Sequence, residues 1–140
     1  MKYWDSSALV ALVIDEARSP EVRGLYSSDP RVTSWTLSEV EVHSAIERVA
    51  REGKLTASRV PGILASFDTF WPGVDSLMSI DAVKIRAKRL LRFHALRAAD
   101  ALQLAAALTA VYDQPAGRDF VSLDDRLRDA AAREGFRVLP

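Results

Sequence analysis

Short apolar runs alternate with longer amphipathic stretches along the whole chain. Runs rich in Val, Phe, Tyr and Trp that end at Asp, Pro or Gly are typical of short buried strands. Between them, apolar residues recur at three- and four-residue spacing, which is typical of helices packed on one side. The predicted strands are residues 2–5, 31–35, 74–80, 119–123 and 136–139. The predicted helices are residues 7–14, 19–28, 36–52, 56–70, 81–95, 98–112 and 124–134.

This alternation predicts an α/β fold in which a parallel sheet is covered by helices on both faces. The predicted loops are short, and there is no repeat, low-complexity stretch or linker. A length of 140 residues suits one compact domain, so residues 1–140 are expected to form a single domain. In such sheets the functional crevice lies beyond the carboxyl ends of the strands.

Four acidic residues stand where the pattern predicts burial close to that crevice. Asp5 and Asp124 fall at predicted strand ends, Glu39 lies one turn past another, and Asp100 sits in an almost wholly apolar helix. Two carboxylates 5 Å apart repel by roughly 3 kcal/mol at an effective dielectric of 20. One or two Mg²⁺ or Mn²⁺ ions would neutralise such a cluster, and a metal pair can clamp both reacting oxygens of a phosphodiester. The sequence therefore suggests a metal-dependent phosphodiester-cleaving enzyme.

Each acid also has a local structural interpretation. Asp5 and Asp124 are each placed to cap the helix that follows them. Glu39 is placed to close a capping box at the start of its helix. A salt bridge to Arg97 would account for Asp100, although Asp is a poor residue for a helix interior. None of these interpretations accounts for the prediction that all four acids lie at one end of the sheet.

Neighbouring polar residues extend the candidate site. Ser6 and Ser122 are placed to orient a carboxylate, or alternatively to cap a helix or face solvent. Asp125 leaves a one-residue ambiguity at the fourth acidic position. Asp119 lies about 17 Å back along an extended strand and belongs at the opposite end of the sheet. Glu41 is expected to be a solvated charge or to reach only the rim of the cleft.

Composition narrows the alternatives. Nineteen basic residues balance nineteen acidic ones, which gives no general attraction to nucleic acid or membrane. The absence of Cys and the presence of only two His argue against thiolate or histidine-rich metal sites. The apolar N-terminal stretch is too short and too interrupted for a signal peptide or membrane span, so a cytoplasmic location is expected.

One predicted helix, residues 81–95, is strongly basic. It is interpreted either as a wall for an RNA backbone beside the acidic cleft or as an ordinary solvated surface. Its basic residues, with one that follows it, are Lys84, Arg86, Lys88, Arg89, Arg92 and Arg97.

Four sequence blocks resemble, in order and over essentially the whole chain, those of PIN-domain ribonucleases. The blocks are KYWDSSALVAL, VTSWTLSEVEVHSAIER (with Arg48), LRAADALQLAAAL and FVSLDDRLRDAAAREGFRVL. The size of the chain resembles that of the VapC-type toxins of type II toxin–antitoxin systems. Three positions depart from the family pattern: Ser6 stands where Thr is commoner, Gln103 where His is common, and Ala99 where a larger residue is frequent.

The resemblance implies a three-layer α/β/α PIN-like fold with a short central parallel sheet. It implies an endoribonuclease that uses Mg²⁺ or Mn²⁺ to cleave a tRNA or rRNA loop and is inhibited by a cognate antitoxin protein. It also implies a homodimer, for which the apolar faces of residues 37–49 and 56–70 are the expected surface. By block position, Asp5, Glu39, Asp100 and Asp124 carry over as metal ligands and catalytic acids, and Ser6 and Ser122 as supporting groups.

Three other functions fit parts of this pattern. A catalytically inactive PIN-fold interaction module would not need the four acids. A receiver-type phosphoacceptor domain would need an acidic pair after the first strand and a Lys after the fifth, and the chain has neither. A DNA-directed nuclease would share the same chemistry.

Overall fold

The computed structural model describes residues 1–140, with five strands and seven α-helices in alternation. The strands are β1 (Lys2–Trp4), β2 (Thr33–Trp35), β3 (Asp75–Leu77), β4 (Asp119–Val121) and β5 (Arg137–Leu139). The helices are α1 (Ser6–Val13), α2 (Ser19–Ser28), α3 (Ser38–Arg51), α4 (Val60–Phe70), α5 (Ile80–Phe93), α6 (Ala98–Ala110) and α7 (Asp125–Glu134). Two 3₁₀ turns, Ala57–Arg59 and Trp71–Gly73, flank α4. None of the helices is both long and apolar enough to cross a bilayer.

All five strands are parallel, in the order β3-β2-β1-β4-β5. Tyr3 of β1 pairs with Thr33 on one side and with Phe120 on the other. The chain builds the sheet outward from β1 in one direction, then returns to the other side of β1 to place β4 and β5. The boundary between β1 and β4 is therefore the topological switch point, where parallel α/β sheets open a crevice.

The two faces of β1 belong to different halves of the core. Successive side chains of a strand point to opposite faces of the sheet. Tyr3 packs with α5, α6 and α7 and stacks on Phe120, with ring centroids 5.4 Å apart. Trp4 packs with residues of α1, α2, α3 and α4. The three-layer α/β/α fold predicted from the alternating pattern is thereby confirmed.

Some element boundaries differ from the predicted ones for local reasons. The predicted helix 56–70 is a 3₁₀ turn followed by α4, because Pro61 has no backbone N–H and fits only the first turn of an α-helix. The predicted helix 98–112 ends at Ala110, after which Tyr112 and Asp113 adopt left-handed backbone conformations. The predicted strand 74–80 contributes only Asp75–Leu77, at the sheet edge.

Replacing Gly135 tests the turn between α7 and β5. Gly135 ends α7 with a φ of 104°, and a Cβ there would lie 3.3 Å from Pro115 Cγ. We expect Gly135→Ala to lower the free energy of unfolding by about 1–2 kcal/mol, because an L-residue is strained in this conformation. The matched control Gly24→Ala lies inside α2 with open space around it and is expected to raise stability by about 0.5–1 kcal/mol. Urea denaturation measures the free energy of unfolding of both variants. A change of the same sign in both would contradict the prediction.

Candidate active site

The carboxyl ends of β1 and β4 are joined at the switch point. Asp5 directly follows β1, and its backbone N–H donates to the carbonyl of Val121 at 3.1 Å, which extends the ladder past the strand ends. Leu123, just after β4, donates its N–H to Ser7 Oγ at 2.8 Å. Asp124 follows immediately. The pairing of neighbouring parallel strands thus brings two of the predicted acids, Asp5 and Asp124, to the same edge of the sheet and into one cleft.

An acidic cleft with a volume of about 510 Å³ opens at this point. Its walls come from the start of α1, one face of α3, and the first turns of α6 and α7. The only basic side chain in its lining is that of Arg48 on α3. The carboxylates that line it are Asp5, Glu16, Glu41, Asp100 and Asp124.

Asp5 and Asp124 cap helices and line the cleft at the same time. Asp5 Oδ1 accepts hydrogen bonds from Ser7 Oγ at 2.8 Å and from the N–H of Ala8 at 3.3 Å. Asp124 Oδ1 accepts from the N–H of Leu127 at 2.9 Å. In both residues these bonds go to Oδ1 only, so one oxygen holds the helix and Oδ2 keeps its lone pairs. The capping and the functional interpretations are therefore compatible.

Asp100 occupies the first turn of α6 and is half-buried. Burial, and next the charge of Asp124, raise the pKa of its carboxyl, while the backbone and charge of Arg97 and the charge of Arg126 act in the opposite direction. Arg97 exerts this influence without forming an ion pair with Asp100. The salt bridge considered as the local structural role of Asp100 is therefore not formed.

The second acidic position of the cleft is Glu41, not Glu39. Glu41, Ser44 and Arg48 recur at three- and four-residue spacing and share the face of α3 that lines the cleft. Glu39 lies two residues earlier, about 200° around the helix axis, and is absent from the lining. The capping box expected for Glu39 is also absent, because α3 begins at Ser38 after Leu37, with no side-chain cap. The placement predicted for Glu39 is corrected here, as is the expectation that Glu41 is a solvated or rim charge.

A buried amide holds Glu41 in position. Gln103 of α6 is 1% exposed, and its Oε1 accepts from the hydroxyl of Tyr3 at 2.7 Å. Its Nε2 donates to Ser38 Oγ at 2.8 Å and to Glu41 Oε1 at 3.2 Å. Ser6 Oγ donates to the other oxygen of Glu41 at 2.8 Å. Because the ionised carboxylate of Glu41 can only accept, Gln103 must present its N–H groups to α3, and the Tyr3 hydroxyl then donates to the amide oxygen. This tether joins two helices that lie on opposite faces of the sheet.

The predicted supporting serines do reach the acids, with partners that sequence alone did not identify. Ser6 contacts Glu41, whereas Ser7 contacts Asp5. Ser122 is fully buried, and its Oγ accepts the backbone N–H of Asp124 at 3.1 Å. The remaining acids near β4 lie outside the cleft lining: Asp125 is exposed, and Asp119 accepts from Arg137 Nε at 2.6 Å at the other end of the strand.

Burial makes negative charge costly in this cleft. Desolvation raises the pKa of Asp5 to about 7, against the opposing effect of its hydrogen bonds from Ser7 and Ala8. Desolvation also raises the pKa of Glu41, with a smaller contribution from the charge of Asp100. The pKa of Glu16 is raised by burial as well. A bound cation would relieve the desolvation and the mutual repulsion together.

The basic helix α5 does not form a wall of this cleft. Arg86 Nε donates to Asp113 at 2.8 Å, and Arg89 pairs with Glu134 at 3.2 Å. No residue of α5 lines the cleft, because the helix packs along α6 on the outer side of the sheet. Of the two interpretations left open for this helix, its position away from the acids favours the ordinary solvated surface.

The donor set suits a hard divalent cation in type. Carboxylate oxygens are the ligands that Mg²⁺ and Mn²⁺ prefer, and Asp5 and Asp124 each keep one oxygen free of protein hydrogen bonds. No three Asp, Glu or His side chains are gathered tightly enough to enclose an ion without moving.

Comparison with known proteins places this architecture in a family. The PIN domain family model matches residues 2–133. Two ribonucleases of Mycobacterium tuberculosis, VapC45 of strain CDC 1551 / Oshkosh and VapC49 of strain H37Rv, are each 35% identical over 138 residues, covering 99% of this chain and 94% of theirs. The crystal structure of M. tuberculosis VapC20, described as a sarcin-ricin loop cleaving toxin, matches over all of both chains, with a TM-score of 0.67 and 19% identity.

The chain therefore belongs to the PIN domain family and, within it, to the VapC proteins. The family resemblance predicted from the four sequence blocks is confirmed. The likeness to VapC20 adds agreement in fold.

Replacing Asp5 by Asn tests the electrostatic cost of the cleft. Asp5 has a pKa of about 7 in the folded protein and an ordinary value near 3.8. Between these values the folded state holds a proton that the unfolded state has lost. Stability therefore falls as pH rises through this window, by up to about 1.4 kcal/mol per pH unit. Asp5→Asn keeps the cap but removes the charge. We expect a shallower pH dependence and higher stability at pH 8, measured by urea denaturation from pH 4 to 8 in EDTA.

The control for this experiment is Asp81→Asn, which removes an acid whose side chain is 97% exposed. It is expected to leave the pH dependence of stability unchanged. Parallel curves for Asp5→Asn and the parent protein would show that Asp5 is not electrostatically stressed.

A double-mutant cycle tests the amide tether. Gln103→Leu leaves the buried Tyr3 hydroxyl without its acceptor and removes one hydrogen bond each from Ser38 and Glu41, so we expect it to cost about 2–4 kcal/mol of stability. Tyr3→Phe should cost about 1–2 kcal/mol, because one amide oxygen then lacks its donor. The double variant should cost less than the sum by about 0.5–3 kcal/mol, as expected for residues in one network. Additive losses in urea denaturation would contradict a shared network.

Proposed function

We propose that this protein is a metal-dependent endoribonuclease and the toxin of a toxin–antitoxin pair, with residues 1–140 acting as one nuclease domain. The observation that carries the proposal is the acidic cleft at the β1/β4 switch point, in a chain whose full-length relatives are named ribonucleases. The reaction is hydrolysis of an RNA phosphodiester. A water oxygen adds to phosphorus, and one ester P–O bond breaks.

Asp5, Glu41, Asp100 and Asp124 are proposed to hold Mg²⁺ or Mn²⁺, with Glu41 taking the role first assigned to Glu39. When bound, one or two such ions would supply Lewis-acid stabilisation of the charge that develops at the scissile phosphate. Four carboxylates around one small volume give the charge that such binding needs. The desolvation of Asp5, Glu41 and Asp100 raises the free energy of the ion-free cleft.

The other residues of the cleft are proposed to orient the carboxylates or to contact the substrate. Gln103 and Ser6 each donate to a different oxygen of Glu41, which holds its carboxylate in one plane. Ser122 stabilises the turn that presents Asp124. Arg48 is exposed, lines the cleft and forms no ion pair with its acids, so its guanidinium is available to a phosphate oxygen of the substrate.

The proposed substrate is a tRNA or rRNA loop, and the proposed partners are a cognate antitoxin protein and a second copy of the chain. An unpaired loop can present its backbone to an open cleft more readily than a stacked duplex can. Leu37 and Val40, 46% and 64% exposed at the start of α3, support the expectation that part of residues 37–49 is covered in a homodimer. A cellular RNA target corresponds to a cytoplasmic location.

The defining experiment is cleavage of total tRNA and rRNA by the purified, antitoxin-free protein with Mg²⁺ or Mn²⁺, beside an EDTA control. We expect discrete cuts that need the metal. Asp100→Asn and Glu41→Gln should each lower the cleavage rate by about 100-fold or more, because each removes a charge that holds the metal.

Glu39→Gln is the matched control, since it makes the same chemical change two residues away on the same helix. It should leave the rate almost unaltered, as for an ordinary surface substitution. Loss of activity in Glu39→Gln together with retention in Glu41→Gln would reverse the assignment. Cuts that survive Asp100→Asn would exclude the acidic cleft as their source.

A further inference from the structure

A second groove, with a volume of about 380 Å³, lies beside the acidic cleft. One of its walls is the segment 94–96, between α5 and α6. Its other wall is the exposed side of α7, with Arg126, Asp129 and Arg133. Three of the groove's side chains are basic or can become so, and one is acidic, which is the reverse of the balance in the cleft.

The groove and the cleft share the same two walls. On the first wall, residues 94–96 line the groove, and Ala99 and Asp100 line the cleft a few residues later. On the second wall, Asp124 lines the cleft and Arg126 the groove. Arg126 is close enough to Asp100 for its charge to act on that carboxyl. The two depressions therefore lie next to each other, and the sign of the charge changes from negative in the cleft to positive in the groove.

The arginines of the groove are free to bind an anion. Arg126 and Arg133 are exposed and form no ion pair or side-chain hydrogen bond with the protein. Glu134, the acid next to Arg133 in sequence, is already engaged by His94 at 2.7 Å and by Arg89 at 3.2 Å, and Asp125, next to Arg126, does not line the groove. Only Asp129 contributes an unneutralised negative charge to the groove. This contrasts with α5, where Arg86 and Arg89 are both paired.

We propose that this groove binds the sugar–phosphate backbone of single-stranded RNA next to the bond cleaved in the acidic cleft. Arg126 and Arg133 are seven residues apart on one helix, a rise of about 10 Å, which matches about three phosphate-to-phosphate steps of roughly 3.4 Å along a stacked strand. Such contacts position the RNA without reading its sequence. The inference rests on the proposed function, because it names where the substrate of that same site continues beyond the cleft.

RNA affinity tests the proposal directly. The probe is a fluorescein-labelled single-stranded 15-mer of mixed sequence, and binding is followed by anisotropy from low to moderate salt. The protein carries Asp100→Asn so that the RNA stays intact. We expect Arg126→Gln and Arg133→Gln each to weaken binding several-fold at low salt. Each should also reduce the slope of log affinity against log salt by about 0.7, the value for one lost phosphate contact on a single strand.

Arg118→Gln is the matched control, since Arg118 is exposed, precedes β4 and lies at the opposite end of the sheet. It removes the same charge and should change neither affinity nor slope. Asp129→Asn removes the groove's unpaired acid and should tighten binding, a gain that a merely damaged protein would not show.

Failure of this inference differs from failure of the proposed function. If the protein with Asp100 intact cuts RNA but Arg126→Gln and Arg133→Gln bind the 15-mer as tightly as their parent, the groove does not bind RNA. Its arginines would then suit an acidic protein partner instead. Equal losses in Arg118→Gln would also overturn the inference, since binding would then follow net charge alone. If no RNA is cut but binding still depends on both arginines and not on Arg118, the groove assignment stands and the nuclease assignment falls.

Discussion

The pairing of β1 with β4 is the interaction on which the candidate site depends. These strands are distant in sequence but adjacent and parallel in the sheet, so the residues that follow them leave the same edge together. The hydrogen bonds from Asp5 N–H to Val121 and from Leu123 N–H to Ser7 keep the two chain segments in contact just past the strands. Everything else in the cleft is arranged around this junction. α1 and α7 start from it, and α3 and α6 bring their acids to it from opposite layers.

The β1/β4 junction places carboxylates in a buried position, where desolvation raises the free energy of their ionised form. Asp5 is 3% exposed, and desolvation disfavours ionisation of its carboxyl, even with two hydrogen bonds to one oxygen. The fold offsets part of this cost by using Asp5 and Asp124 as helix caps, so that the same side chains stabilise α1 and α7. The polar network of Tyr3, Gln103 and Ser38 is fully buried and satisfied, which lets it cross the core without a large penalty. The site proposed to bind metal and RNA is thus built from residues that also hold the fold together.

Charge segregation over a short distance allows a chain with zero formal net charge to engage a polyanion. The acidic cleft alone would repel RNA, and only a bound cation makes it attractive. The neighbouring groove, formed by the same two segments of the chain, carries Arg126 and Arg133. In the proposed complex, a metal held in the cleft and the arginines of the groove would act on different phosphates of one strand. The net charge of the protein does not reveal this arrangement, because it sums the acidic cleft and the basic groove.

Sequence patterns by themselves determined the element order, the α/β class, the family and three of the acids that line the cleft. This was possible because the alternation of side chains along a strand and the position where the strand ends both depend on local residue spacing. Asp5 and Asp124 come directly or shortly after strands, so their place at the sheet edge follows from the sequence. Asp100 was identifiable because an acid among apolar residues is rarely buried without a partner. Only the tertiary structure decided between Glu39 and Glu41, since a two-residue change turns a helical side chain through about 200° and the packing of α3 sets which face meets the cleft. It also decided that Arg86 and Arg89 of α5 pair with acids outside the cleft and that Gln103 reaches across to α3. Both outcomes depend on contacts between residues far apart in sequence, which spacing along the chain does not encode.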